Sequence, residues 1–182
     1  MTASNLHSPY LVIFLGAPGA GKGTQSLLAA STFGLARIET SKLLEAWFNE
    51  GVESKFVEVD GERFDVEEQK KRWSTGLLFE DGFVAYVIKE QLKRLHERGE
   101  SVVVDGFPRT IGQMEPVLPF IEDGYGHKRI IVIYIDIAEE ETVRRNGSRK
   151  VCGLMRHPIL SNEETRDLKH CPLDGSQLAQ RE

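Results

Sequence analysis

A run of nine residues near the N-terminus has the composition of a phosphate-binding loop. It follows a short apolar run and opens an amphipathic stretch, which predicts a strand, a loop and a helix in succession. Glycines let backbone N–H groups turn toward phosphate oxygens, and the start of the helix adds partial positive charge. The lysine in the run can reach the β- and γ-phosphates of ATP, and the hydroxyl that usually follows it is displaced by one position. The candidate ATP-binding residues are Gly16, Ala17, Pro18, Gly19, Ala20, Gly21, Lys22, Gly23 and Thr24.

A second group of polar residues follows another apolar run, in the order Asp105-Gly-Phe-Pro-Arg109-Thr110. A carboxylate such as Asp105 can hold Mg²⁺ through water, and Arg109 can clamp a phosphate with two hydrogen bonds. Gln113 comes one turn later and can read the edge of a base. The first motif could instead be a glycine-rich turn without a ligand, and the second could be a strand end with a solvated arginine. The presence of both motifs in one chain disfavours these alternatives.

The elements that must position these residues follow from the hydrophobic pattern. Short apolar runs alternate with longer amphipathic stretches, which predicts an α/β protein with a doubly wound parallel sheet. The predicted buried strands are Tyr10–Leu15, Leu35–Ile38, Ser101–Val104 and Arg129–Ile135. The predicted helices run from about Gly21 to Phe33, from Phe83 to Arg98, and onward from Glu139.

Two polar stretches interrupt this alternation and predict lobes inserted into a core of residues 1–48 and 76–149. Residues 49–75 contain Asp60-Gly61 between alternating segments, which is a strong signal for a β-hairpin. Residues 150–182 hold both cysteines. Because α/β proteins bind ligands at the carboxyl edge of the sheet, we expect both lobes there.

Composition narrows the class of protein. The 182 residues fit one domain, and the net charge of −5 argues against non-specific binding to nucleic acid or to an anionic membrane. Two cysteines are too few for a disulfide framework. Residues 1–9 lack a basic leader, and the apolar run after them is too short for a signal sequence or a membrane span. A cytoplasmic location is therefore expected.

Together, Gly16-Ala-Pro-Gly-Ala-Gly-Lys-Gly-Thr-Gln25 and Asp105-Gly-Phe-Pro-Arg-Thr110 resemble the adenylate kinase family of nucleoside monophosphate kinases. Weaker similarity extends over nearly the whole chain. The resemblance implies a P-loop NTPase-like core with an acceptor lobe at 49–75 and a lid at 150–182. It also implies a monomer that transfers the γ-phosphoryl group of Mg·ATP to AMP and produces two ADP.

The resemblance also assigns roles to single residues. The catalytic set it implies is Lys22, Asp105, Arg109, Arg145 and Arg149. The AMP-binding set is Thr40, Gly106, Arg109 and Gln113. Arg145 and Arg149 would bracket ATP at the entrance of the lid, and Arg181 matches a third lid arginine. The alternative for each lid arginine is an ordinary surface side chain.

The acceptor lobe departs from the family pattern. Lys42 stands where the family has an acidic residue, and Glu45 stands where it has an arginine that binds phosphate. A glutamate repels a phosphate dianion, so we expect Glu45 to point away or to pair with Lys42. Another acceptor, such as CMP, UMP or a non-nucleotide alcohol, therefore remains an alternative to AMP.

The lid and the end of the chain also differ from the family. Cys152, Cys171 and Asp174 occupy positions where metal-bearing lids of the family hold zinc, but Met155 is a poor zinc ligand. His157 or His170 is a candidate for the missing contact. The alternative is a lid without metal that contains two free thiols. The family continues beyond Arg181, so an incomplete sequence is the simpler expectation, and a non-catalytic nucleotide-binding module is the third function considered.

Overall fold

The computed structural model describes residues 8–49, 55–59, 61–75, 77, 79–147, 150–154, 158–159 and 163–180. The chain separates into two compact units. The first comprises Met1–Leu15 and Lys22–Tyr134, and the second comprises Gly16–Gly21 and Ile135–Glu182.

The strands and helices occur in the following order. The strands are β1 (Leu11–Gly16), β2 (Ala36–Glu39), β3 (Phe56–Val59), β4 (Glu62–Asp65), β5 (Val102–Asp105), β6 (Ile130–Ile135), β7 (Lys150–Cys152), β8 (Pro158–Ile159) and β9 (Leu178–Gln180). The helices are α1 (Lys22–Phe33), α2 (Thr40–Asn49), α3 (Val66–Ser74), α4 (Asp81–Glu97), α5 (Ile111–Met114), α6 (Leu118–Tyr125) and α7 (Glu139–Gly147). A short 3₁₀ helix, His127–Arg129, precedes β6.

The first unit is built on a four-stranded sheet with the order β2-β5-β1-β6. The strands β1 and β2 both pair with β5 in parallel, and Leu11 and Ala36 both align with Val102. Consecutive apolar residues form these strands because a parallel sheet is covered on both faces. The predicted α/β fold around a parallel sheet is confirmed.

Helix α4 carries the largest share of the core of the first unit. Its apolar side chains recur at helical spacing, and Phe83, Val87, Ile88 and Leu92 are all nearly or fully buried. The ring of Phe83 meets Trp47 of α2 edge-on, with ring centres 5.1 Å apart. An aromatic pair of this kind contributes about 0.5–1.5 kcal/mol beyond its buried area. Helix α2 is thereby fixed against α4.

The predicted hairpin is present within residues 49–75 as β3 and β4. The strands are antiparallel, with Val57 aligned to Phe64. Gly61 has a φ of +86°, which an L side chain rarely adopts, and Asp60 lies outside the described residues. The sequence patterns did not indicate α3, which follows the hairpin and begins where the Asp65 carboxylate accepts hydrogen bonds from two backbone N–H groups, those of Glu67 and Glu68.

The expected burial of the last large strand is wrong. Ile131, Val132, Ile133 and Tyr134 in β6 are 44%, 56%, 37% and 66% exposed. A run of apolar residues predicts a strand, but its burial depends on which elements cover its faces. As the edge strand of the sheet, β6 has a strand neighbour on one side only within the described part of the chain.

The second unit contains α7 and a small antiparallel sheet with the order β8-β7-β9. The sheet has a core of its own, in which Cys152, Ile159 and Cys171 are buried. Lys150 ties a turn to this sheet, because its ammonium donates to the backbone carbonyls of Arg166 and Leu168, at 2.5 and 2.6 Å.

Replacing Tyr125 by Phe is expected to stabilise the protein. Tyr125 is fully buried, and its hydroxyl has no hydrogen-bond partner within the described chain. A buried hydroxyl without a partner costs about 1–3 kcal/mol, so Y125F should raise the free energy of unfolding by about 1 kcal/mol in urea titrations.

The same substitution should change the response to alkali. Burial raises the pKa of Tyr125 from 10.0 to about 12. The unfolded chain therefore releases this proton first, and the native protein loses stability as the pH rises from 10 to 12. Y125F should lack this loss. The control is Y134F at a side chain that is 66% exposed, and a Y125F protein less stable than wild type at pH 8 would contradict the prediction.

Candidate functional site

The phosphate loop joins β1 to α1 in the order that the sequence predicts. Three of its glycines, Gly16, Gly19 and Gly21, have φ values of +139°, +82° and +100°. These conformations are open to glycine and strained for other residues. A side chain at Gly16 would collide with the backbone carbonyl of Ile135. The loop then leads into Lys22, the first residue of α1.

Within the second unit, α7 lies directly against this loop. The Arg145 guanidinium donates to the carbonyl of Gly19 at 3.2 Å, and the Asn146 amide donates to the carbonyl of Pro18 at 3.1 Å. A Cβ atom on Gly19 would lie 3.2 Å from the Cβ of Arg145. The predicted ATP-site arginine is therefore in contact with the loop. Asn146 was not predicted from the sequence, in which adjacency to Arg145 is its only signal.

Glu141 orients the two arginines of α7. Its carboxylate accepts from Arg144 at 2.6 and 2.7 Å and from Arg145 at 2.5 Å, one helical turn away. These hydrogen bonds, with Arg144 the larger contributor, lower the pKa of Glu141 to about 2. Glu141 is therefore ionised at any pH near neutrality and holds Arg145 beside the phosphate loop.

In the first unit, the four residues expected to bind an acceptor are linked by contacts at Gly106 and at Arg109. A Cβ atom there would lie 3.6 Å from both the Arg109 guanidinium and the Thr40 hydroxyl, and the φ of Gly106 is +86°. The Gln113 carbonyl oxygen accepts from the backbone N–H of Arg109 at 2.9 Å. The Thr40 hydroxyl donates to the backbone carbonyl of Asp105 at 3.0 Å. Thr40 and Gln113 are buried, while Arg109 is exposed.

Asp105 ends β5 beside the start of α1. One of its carboxylate oxygens would lie 3.2 Å from a Cβ atom on Gly23, so glycine is needed there for close approach. The same oxygen, Oδ2, accepts from the Arg37 guanidinium at 3.2 Å. Arg37 was not predicted from the sequence, although a charged residue in a short apolar strand is a signal of a buried partner.

Of the two alternatives expected for Glu45, the pairing with Lys42 is not found among the described residues. The ammonium of Lys42 instead lies 3.5 Å from the carboxylate of Glu39, which comes three residues before it in the chain. Glu39 already belongs to the charged group around Arg37, so it offers Lys42 a fixed partner.

The small sheet of the second unit holds a set of metal-type ligands. The ligand atoms of Cys152, Cys171 and Asp174 lie within 4.8 Å of one another. The Cys152 thiol donates to the Asp174 carboxylate at 3.1 Å, and the Ser176 hydroxyl lies 3.1 Å from the same sulfur. Hydrogen bonds from Ser176, and then from Cys152, lower the pKa of Asp174, and burial raises the pKa of Cys171.

This donor set fits zinc, which takes thiolate and carboxylate ligands in a tetrahedral site. His170 is exposed and does not belong to the cluster that the described residues form. Arg149, Met155, His157 and Arg181 lie outside the described residues.

A phosphate loop between the first strand and first helix of a parallel α/β sheet defines a protein of the P-loop class. A family model described as adenylate kinase matches residues 14–169. The chain belongs to the adenylate kinase family. It is 35% identical to the adenylate kinase of Elusimicrobium minutum over 142 residues, and 32% identical to that of Caldicellulosiruptor saccharolyticus over 174 residues.

The two relatives are longer than the matched part of this chain. The first alignment covers 78% of this chain and 59% of the relative, and the second covers 94% and 74%. A third relative, the adenylate kinase of Methanothrix thermoacetophila, is 33% identical over 78% of the chain and 60% of its own length. Among the described helices, none has the length and apolar character needed to cross a membrane.

Replacing Gly19 by Ala is expected to weaken ATP binding about tenfold, because a left-handed conformation costs an L residue roughly 1–2 kcal/mol. The added methyl group would also press on Arg145. Calorimetry with a non-hydrolysable ATP analogue measures the effect. Gly175→Ala is the matched control, since Gly175 has a φ of +75° but open space around its Cβ position. Equal losses in the two variants would contradict a specific role for the Gly19–Arg145 contact.

Proposed function

We propose that the chain is a nucleoside monophosphate kinase that transfers the γ-phosphoryl group of Mg·ATP to AMP and yields two ADP. The observation that carries this proposal is that Thr40 and Arg109 both approach Gly106 while Gln113 contacts Arg109. A protein that only binds or hydrolyses ATP has no need of such a second group. Family membership supports the same reaction.

Phosphoryl transfer needs positioning and charge compensation more than covalent chemistry from the protein. Lys22 and the backbone N–H groups of the loop would hold the phosphates of ATP. Arg145, and Arg149 by resemblance, would neutralise charge on the transferring group. Arg109 would hold the phosphate of the acceptor, with the direct hydrogen bonds that a planar guanidinium makes best.

Mg²⁺ supplies charge compensation for the phosphates when it arrives with ATP. Asp105 fits the role of holding it through water, because its carboxylate ends a strand at the carboxyl edge of the sheet and lies close to Gly23. The lobes at 49–75 and 150–182 would exclude water from the reaction, since water competes with the acceptor for the phosphoryl group.

The acceptor side leaves room for a second candidate, a kinase for CMP, UMP or another acceptor. Glu45 favours this alternative, because it replaces an expected phosphate-binding arginine by a half-buried carboxylate. Gln113 favours a base, since its Oε1 accepts from Arg109 and the same amide also carries two N–H donors.

The test is to incubate the protein with Mg·ATP and each monophosphate in turn and to separate the products. We expect ADP from AMP well above the ATP-only control. Arg109→Gln should lower kcat/KM for AMP by roughly 10²–10³, because loss of one charged phosphate contact is of that order. Arg98→Gln, at a side chain that is 70% exposed, is the control and should leave the rate unchanged. Transfer to no monophosphate despite measurable ATP binding would refute both kinase candidates.

For the second unit we propose that Cys152, Cys171 and Asp174 bind one Zn²⁺, with Ser176 or water beside them. Elemental analysis of the purified protein should then find close to one zinc per chain. Cys152→Ser should lose the metal and lower the melting temperature, because zinc that binds only the folded state stabilises it. As a control, the melting temperature of the Cys152→Ser protein should be the same with and without a chelator. Wild-type protein with no zinc would favour the lid with two free thiols.

We further propose a cytoplasmic monomer. Two cysteines are too few for a disulfide framework, which favours a reducing compartment.

A further inference from the structure

The register of β2 and β5 places two carboxylates side by side. Glu39 aligns with Asp105 in this parallel pair, so both side chains leave the sheet on the same face. Neighbouring strands are about 4.8 Å apart, and like charges at that spacing repel each other. Both side chains are largely shielded from solvent, with exposures of 25% and 12%. This pair needs a positive charge between its members.

Arg37 supplies that charge. It lies two residues before Glu39 on the same strand, and therefore on the same face of the sheet. Its guanidinium contacts Glu39 at 3.1 Å and Asp105 at 3.2 Å. The guanidinium therefore bridges the two carboxylates, as a divalent cation does when carboxylates are its ligands. Lys42, at 3.5 Å from Glu39, completes a charge-balanced group.

The remaining donors of Arg37 reach the first turn of α1. Its Nε donates to the hydroxyl of Ser26 at 3.0 Å, and its Nη2 lies 3.3 Å from the carbonyl of Gly23. Ser26 is fully buried and donates in turn to the Gly23 carbonyl at 3.1 Å. Arg37 thus fixes Asp105 relative to the helix that begins with Lys22.

We propose that Arg37 is a positioning residue that stands in for a cation between Asp105 and Glu39. It occupies Oδ2 of Asp105 and offsets the negative charge of the carboxylate, so Asp105 does not capture a metal ion by itself. Asp105 then serves only the Mg²⁺ that enters with ATP. The kinetic part of this inference rests on the proposed function, whereas the ion balance at the two carboxylates does not.

The test measures Mn²⁺ binding to the nucleotide-free protein by electron paramagnetic resonance. Arg37→Gln removes the bridging positive charge. The two carboxylates left without it should bind Mn²⁺ at least about tenfold more tightly than wild type. Arg37→Lys keeps the charge and should stay within about threefold of wild type. The double variant R37Q/E39Q has one carboxylate left and should lose the gain. Arg129→Gln, at another half-buried arginine of the first unit, is the matched control.

The kinetic arm uses the same proteins with Mg·ATP and AMP. R37Q should lower kcat about tenfold while KM for AMP changes less than about threefold, because Asp105 loses its orientation but the acceptor group does not. R37K should recover most of kcat. A purely structural role would instead lower the fraction of active protein and leave Mn²⁺ binding unchanged.

Three results would overturn the proposal. The first is R37Q with the wild-type Mn²⁺ affinity, and the second is R37K with the same gain as R37Q. The third applies if R37Q does not fold: R37K, which keeps the charge, would then refute the proposal by a Mn²⁺ affinity more than about threefold from wild type. A gain of Mn²⁺ binding in R37Q without any transfer to AMP in wild type would instead refute the proposed function and leave this inference standing.

Discussion

Two carboxylates held in register at the carboxyl edge of a parallel sheet are the constraint on which the first unit depends. Glu39 and Asp105 cannot remain charged and close together without a cation, and Arg37 provides it from the same strand face. The same guanidinium reaches Ser26 and the Gly23 carbonyl, so β2, β5 and α1 meet in one hydrogen-bonded group. Thr40 is placed by the backbone instead, because its hydroxyl donates to the Asp105 backbone carbonyl. The ion pair therefore orients the Asp105 carboxylate, whereas Thr40 depends on the strand that carries that carbonyl.

In the second unit, side chains of α7 hold the backbone of the loop between β1 and α1. Three loop glycines have positive φ values, and the loop carbonyls of Pro18 and Gly19 accept hydrogen bonds from Asn146 and Arg145. Since the carbonyls face α7, the partial negative charge of the loop is turned away from the groups that would meet an anion. Glu141 holds Arg145 in this place without burying it, because the pair lies on an exposed helix face.

The parts of the fold that depend on local pattern were predictable from the sequence. The loop glycines, the α4 repeat and the Asp60-Gly61 hairpin each follow from a few neighbouring residues. What depends on distant partners was not predictable. The strand β6 was expected to be buried, but an apolar run cannot say whether its faces are covered. Pairing with Lys42 was one of two alternatives for Glu45, but Lys42 pairs with Glu39, which belongs to a charged group that only the β2–β5 register creates. Arg37 was missed for the same reason.

The kind of group that makes each contact also explains why the acceptor site is harder to predict from the sequence than the phosphate loop. Phosphate recognition by a loop uses backbone groups, so the motif itself carries it. The proposed acceptor recognition would use side chains that are already partly committed: Thr40 donates to Asp105, and Gln113 accepts from Arg109. The Arg109 guanidinium itself donates through Nε to the backbone carbonyl of Gly106 at 3.1 Å. With Glu45 in place of a cation, a monophosphate dianion would meet less positive charge here than the family pattern provides. Its binding should therefore depend strongly on Arg109 and on ionic strength.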